Sequence, residues 1–200
     1  PIQAEHFAVP HPSQPVVAVA GSSLVFPVRR IHCVGRNYAD HVKEMGHEGR
    51  ETPIFFMKPS DAVVADGTSI PYPPMTRNLH HEVELVVAIG RAARHVSVER
   101  ALDSVYGYAV GVDLTRRDLQ DEAKKGGKPW EAAKSFDHSA PIGAISRASD
   151  VGHPERGYIR LAVNGQGRQA GDISQMTWSV AEIISQLSKF VQLVPGDLIY

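Results

Sequence analysis

The sequence predicts a mixed, mostly antiparallel α+β fold in which strands dominate and helices are few. Three observations lead there: many short apolar runs bounded by Pro, Gly and Asn, a strong hairpin signal at Asn164-Gly165, and helical periodicity confined to a few segments without βαβ alternation. The 200 residues are 42% hydrophobic, enough for one well-filled core. Lys plus Arg number 21 against 22 Asp plus Glu, a net charge of -1, which argues against an electrostatic nucleic-acid binder or a polybasic membrane anchor. No apolar run approaches a membrane span, and PIQAEHFAVPHPSQP lacks the order of a signal peptide. Cys33 is the only cysteine, which excludes an internal disulfide and fits a reducing compartment, so a cytoplasmic location is expected.

Residues 1–27, rich in Pro and weakly alternating, read as an N-terminal arm with one or two edge strands, and residues 28–200 as the main domain. IHCVGRN is a short strand. YADHVKEMG reads as a short helix with Tyr38, Val42 and Met45 on its apolar face and Gly46 at its end, followed by the polar loop HEGRET. In PIFFMKPSDAVVADG, prolines break the strands. SVERALDSV carries helical spacing behind Ser97, and YGYAVGVDLT is an apolar strand ending at Asp113. TRRDLQDEAKKGG is a charged helix closed by glycines, and SVAEIISQLSKFV opens with a capping box, Ser179 to Glu182. VPGDLIY is a turn leading into a strand in which the sequence stops, so a further C-terminal segment is expected.

LHHEVELVVAIG poses the chemical question. Period-two alternation puts His80, Glu82 and Glu84 on one side of a strand, with the two glutamates roughly 6.5–7 Å apart. Ionised carboxylates in so apolar a segment either face water or meet a cation. The same face turns apolar at Val86 and Ala88, against a solvated side. Asp113 completes a set of three if its strand lies alongside, and oxygen-only ligands suit a hard divalent ion: Mg²⁺ first, then Mn²⁺ or Ca²⁺. Arg117 and Gln120 recur at helical spacing from Asp113, and an arginine fork suits a carboxylate substrate. Lys134, among small residues and Phe136, can supply positive charge where negative charge builds up. His41 and Glu44, three apart on the short helix, can pair to activate water, although the same residues read equally as a solvated helix face.

Taken together, GRNYADHVKEMG, FFMKPSDAVV, RNLHHEVELVVAIGR, YGYAVGVDLTRRDLQ, KPWEAAKSFD, VNGQGRQ and SVAEIISQLSKFVQLVPGD resemble the fumarylacetoacetate hydrolase family, in particular its acylpyruvate hydrolase branch. The resemblance runs in order from about Val28 to Tyr200. It implies a mixed β-sandwich or β-roll with a few peripheral helices, in a homodimer. It implies Mg²⁺ or Mn²⁺ on Glu82, Glu84 and Asp113, a water-activating dyad at His41 and Glu44, Lys134 as a further catalytic residue, and Arg117 and Gln120 as substrate contacts. Family members continue into a Thr-Gly-Thr-Pro-like loop after the GDLI strand, which is the segment expected beyond Tyr200. The implied reaction is hydrolysis of a C–C bond in an acylpyruvate, a 2-keto acid; the segments look most like fumarylpyruvate hydrolases of gentisate-type aromatic breakdown. Oxaloacetate decarboxylation and 2-keto acid hydration or lysis on the same metal site are the alternatives. Outside enzymes, the alternatives are a structural metal-binding β-domain and a metal-free scaffold with exposed acids.

Overall fold

A computed structural model describes residues 7–35, 37–38 and 52–200. From the N-terminus, β1 (Val16–Ala18) and β2 (Val25–Pro27) form an antiparallel ribbon. Then come β3 (Arg30–Gly35), β4 (Ile54–Lys58), β5 (Val63–Ala65), the short β6 (Leu79–His80) and the long β7 (Val83–Ile89). Helix α1 (Val98–Ala101) leads to β8 (Val105–Val112), and β9 (Thr115–Arg116) runs directly into α2 (Arg117–Gly126). After these lie α3 (Glu131–Lys134), β10 (Ala140–Ile142), β11 (Ser146–Arg147) and α4 (Ala148–Val151). The hairpin of β12 (Tyr158–Val163) and β13 (Gln166–Asp172), helix α5 (Val180–Phe190) and β14 (Asp197–Ile199) follow.

The main sheet has eight strands in the order β4-β3-β14-β7-β8-β10-β5, with β11 also paired to β8. β14–β3 and β10–β5 pair parallel and the remaining pairs antiparallel, so the predicted mixed α+β, mostly β class is what the chain adopts. β7 reads as a continuous apolar run because both of its faces are covered. Val86 and Ala88 join one core with Ile31, Cys33, Ala109 and Leu198, to which the β1–β2 ribbon adds Val17 and Phe26. Val87 and Ile89 join the other, beneath Ile183, Ile184 and Leu187 of α5. A solvated face is thereby excluded for this strand from Val86 to Ile89, while Glu82 and Glu84 are half-buried. The opening stretch is not one strand, however. β6 pairs with β9, and the chain passes His81 and Glu82 before entering the main sheet at Val83.

Several local expectations hold for stated reasons. Ser179 and Glu182 exchange hydrogen bonds as a capping box, satisfying amides that the first turn of α5 leaves open. Asn164 and Gly165 have φ of 53° and 75°, the left-handed pair that a two-residue hairpin turn demands. Asp197, fully buried at the start of β14, accepts from Arg30 Nε at 2.9 Å and Nη2 at 2.6 Å and from the Val194 amide at 2.9 Å, which fixes β14 beside β3. Most of the helix expected over residues 38–46 lies outside the described residues. Tyr38 itself forms an antiparallel bridge with Met176. Among the described residues no helix is long and apolar enough to cross a membrane.

Gly111 stands opposite Glu84, and a Cβ there would lie 2.6 Å from both the Tyr200 ring and Val86. Gly111→Ala is therefore expected to destabilise the protein by about 1–3 kcal/mol. Gly167→Ala, whose Cβ would enter open space, is the control. Urea unfolding of the two variants checks the difference.

Candidate active site

The site begins with strand register. β7 and β8 pair so that Glu84 faces Gly111 and Val83 faces Val112. One step further the ladder continues through Glu82 and Asp113, which exchange backbone hydrogen bonds: Asp113 N to Glu82 O at 2.8 Å and Glu82 N to Asp113 O at 3.2 Å. Directly opposed residues present their side chains on the same face, about 5 Å apart at Cβ. Two carboxylates are thus set side by side at the edge of a core, where like charges repel unless cations intervene.

Three cations do so. Lys134, at the end of α3, reaches Asp113 Oδ2 at 2.6 Å, Glu82 Oε2 at 2.7 Å and Thr115 Oγ1 at 2.7 Å, which uses every hydrogen of its ammonium. Lys58, at the end of β4, stands 2.9 Å from Asp113 Oδ1 and donates to the backbone oxygens of Leu114 and Lys134. Arg117, the first residue of α2, donates to Glu82 Oε1 and to Gln120 Oε1, one helical turn on. Lys58 and Lys134 are each only 2% exposed, so neither can exchange its carboxylate for water.

The charges respond accordingly. Burial works against ionised Glu82, but Lys134 and Arg117 outweigh it and lower its pKa to about 2. Burial also opposes the Lys134 charge, and Asp113 with Glu82 still hold its pKa above the ordinary lysine value. Glu84 behaves in the opposite way. It has no hydrogen bond or ion pair among the described residues, and burial, reinforced by the neighbouring Glu82 and Asp113 charges, raises its pKa well above the carboxylate range.

A cavity of about 340 Å³ opens over this floor, lined by Glu82, Glu84, Arg117, Gln120 and Lys134 among others. The β12–β13 hairpin forms part of its wall through Arg168 and Gln169. Gln169 Oε1 accepts from the Val83 amide at 2.9 Å, pinning the hairpin between the two glutamates. Phe56 and Trp130, ring centroids 5.9 Å apart, supply apolar wall.

Of the residues the sequence singles out, Glu82, Asp113, Lys134, Arg117 and Gln120 come into one connected network, and Glu84 borders the same cavity. His41 and Glu44 lie outside the described residues. Among the described residues no three His, Cys, Asp or Glu side chains are already drawn together as metal ligands, because Glu82 and Asp113 converge on the Lys134 ammonium instead. The donor set nevertheless fits a hard divalent ion: Glu84 makes no ion pair among the described residues, and Asp113 Oδ1, buried, receives no hydrogen bond despite its ion pair with Lys58. Besides Arg168 and Gln169 of the hairpin, two residues of the site were not anticipated. Lys58 reads in sequence as the polar end of an apolar strand, and the only signal was its place in FFMKP directly after an apolar run. Tyr38, assigned to a helix face, lines the cavity.

A mixed sheet carrying a cluster of acids and bases at one end, with a hairpin in the cavity wall, defines an acid-rich candidate site. Residues 30–200 match the family described as fumarylacetoacetate (FAA) hydrolase C-terminal, and the chain belongs to that family. Oxaloacetate tautomerase FAHD1, mitochondrial, from Bos taurus is 47% identical over 171 residues, which cover 86% of this chain and 77% of that protein. Oxaloacetate tautomerase YcgM from Escherichia coli (strain K12) is 41% identical over 180 residues, 90% of this chain and 82% of that one. The crystal structure of fumarylpyruvate hydrolase from Pseudomonas aeruginosa in complex with Mn²⁺ and pyruvate superposes with a TM-score of 0.93 at 50% identity, covering 98% of this chain and 86% of that chain.

Two outcomes test the electrostatic account. Lys58→Met strips the buried Asp113 of one counter-ion and is expected to cost about 3–5 kcal/mol, part of it recovered by adding Asp113→Asn. Stability of both variants is read by urea unfolding. For Glu84, a carboxyl that holds its proton more tightly folded than unfolded makes the metal-free protein lose stability as pH rises above the ordinary carboxylate range. In chelator, Glu84→Gln should match wild type in acid and exceed it increasingly as pH rises above the ordinary carboxylate range. Parallel curves for the two proteins would remove Glu84 from the buried cluster.

Proposed function

We propose that this chain is a divalent-metal-dependent hydrolase that cleaves a C–C bond of an acylpyruvate, with fumarylpyruvate as substrate and fumarate and pyruvate as products. The observation that carries the reading is the Glu84 carboxyl, without an ion pair among the described residues, close to Glu82 and Asp113 and on the wall of a cavity that also presents Arg117, Gln120 and Lys134. Glu82, Glu84 and Asp113 are the residues to hold Mg²⁺ or Mn²⁺, which supplies Lewis-acid stabilisation of the charge on a 2-oxo acid's oxygens. The Mn²⁺ and pyruvate bound to the Pseudomonas aeruginosa fumarylpyruvate hydrolase support this choice.

The remaining work falls to the chain's own groups. Arg117 and Gln120, held together at the cavity edge, orient the substrate carboxylate. His41 with Glu44 takes a proton from water as its oxygen adds to the distal acyl carbonyl. The bond between that carbon and the pyruvate methylene then breaks, and the proton passes to the methylene carbon, giving fumarate and pyruvate. Lys134 donates all of its hydrogens inside the protein, so it reaches the new oxyanion only by releasing one carboxylate. Arg168 favours a dicarboxylic substrate: it lines the same cavity and makes no ion pair among the described residues, leaving its guanidinium to meet a second carboxylate.

A second reading, keto–enol tautomerisation of oxaloacetate, is favoured by the relatives of that name at 47% and 41% identity. It needs the same grip on a 2-oxo acid and no C–C cleavage. Incubation of the Mn²⁺-loaded protein with fumarylpyruvate is expected to remove the enol absorbance with one pyruvate released per substrate. Removing the dyad through His41→Ala should slow this by a factor of about 100 or more while leaving metal affinity nearly unchanged. Interconversion of oxaloacetate tautomers with no pyruvate from fumarylpyruvate would establish the second reading instead.

A further inference from the structure

The hydroxyl of Tyr38 stands out among the polar atoms of the cavity wall. It is buried and has no hydrogen-bond partner among the described residues, a state that costs free energy unless something supplies an acceptor. Its position is not a matter of a loose side chain. Asn37, next to it, clamps the chain at Trp178 from both sides, accepting from the Trp178 amide at 2.8 Å and donating to the Trp178 carbonyl at 3.1 Å. The Asn37 carbonyl accepts from the Thr177 amide at 2.6 Å, and Tyr38 bridges to Met176. Tyr38 packs against the cluster of Val83, Ile159 and Ile173, that is, against the strand that carries Glu84 and the hairpin above it. The ring is thus fixed between two elements of the site while its hydroxyl remains unmet.

We infer that Tyr38 is a substrate-binding residue whose hydroxyl donates a hydrogen bond to a negatively charged oxygen of the bound 2-oxo acid. This deepens the reading given under Proposed function and rests on it. The role is that of a donor and not of a base, because burial and the nearby Glu84 charge both hold the phenol in its protonated form. None of the described protein groups provides an acceptor, and the cavity that Tyr38 lines offers a ligand oxygen as one. A hydroxyl aimed at an anionic oxygen also gives discrimination, since a ligand lacking that oxygen leaves the donor unpaired.

Tyr38→Phe removes the hydroxyl and keeps the ring. In the free protein it deletes an unpaired polar group, so thermal stability should be equal to or higher than that of wild type. In the Mn²⁺-loaded protein the dissociation constant for pyruvate, measured by calorimetric titration, should rise about 10- to 100-fold, and KM for fumarylpyruvate should rise with it. Tyr38→Phe with wild-type pyruvate affinity overturns the inference and leaves the functional reading intact. A variant that loses stability and affinity together also overturns it, because the hydroxyl then has a partner inside the fold. If wild-type protein loaded with Mn²⁺ binds no pyruvate and turns over neither fumarylpyruvate nor oxaloacetate, the functional reading fails and takes this inference with it.

Discussion

The whole site depends on one constraint of sheet geometry: Glu82 and Asp113 are ladder partners. Backbone pairing forces their side chains onto one face regardless of their charge, and the repulsion has to be offset by whatever else the fold brings near. The end of β4 brings Lys58, the end of α3 brings Lys134, and the start of α2 brings Arg117. These elements come from segments far apart in sequence, and what they share is the demand of two carboxylates for positive charge. The arrangement stabilises less than its short distances suggest, because each buried charge has lost its water. Its value lies in specificity of position, since removing any member leaves another buried charge uncompensated.

The same constraint explains why Glu84 differs from Glu82 although they are two residues apart on one strand. Glu82 lies where the strand leaves the main sheet, within reach of α2 and α3, and takes both Arg117 and Lys134. Glu84 lies inside the paired region opposite Gly111, where its neighbours are Val83, Leu85 and the two other acids. One carboxylate is held ionised by its surroundings and the other is pushed toward its neutral form. A cavity wall with one such acid in each state is poised to take up a cation in exchange for a proton.

Much of this was legible from the residues, and the limits follow a pattern. Features set by contacts close in sequence were readable: the Asn164-Gly165 turn, the Ser179–Glu182 capping box, and Arg117 with Gln120 on one turn of α2. The carboxylate pairing was readable only conditionally, because the adjacency of two strands is a tertiary fact, and here β7 and β8 happen to be consecutive in the sheet. What stayed hidden was decided at long range. Nothing in VPGDLIY indicates that β14 inserts between β3 and β7, parallel to one and antiparallel to the other. Lys58 looked like an ordinary polar strand end because its burial is imposed by Asp113, 55 positions later. Tyr38 was placed on a helix face because its apolar spacing suited one, whereas the Asn37 clamp on Trp178 holds it in extended backbone.

The charge balance bears on what such a cavity can hold. With Glu84 ionised, the three acids are matched by Lys58, Lys134 and Arg117, so the floor carries no net charge. A divalent ion added to that neutral floor creates a local excess of positive charge, enough to hold an organic ligand presenting two negative oxygens side by side, as an ionised 2-oxo acid does in its enolate form. Without the ion the floor attracts an anion less strongly, because Lys58, Lys134 and Arg117 are each already engaged by Glu82 or Asp113. Binding of the ion and of the acid are therefore coupled through electrostatics alone, and the coupling runs in both directions. Structural metal sites have no need of this reserve, since their ligands neutralise the ion and close around it. A cluster that gains positive charge when it is loaded is suited to a substrate that arrives and leaves.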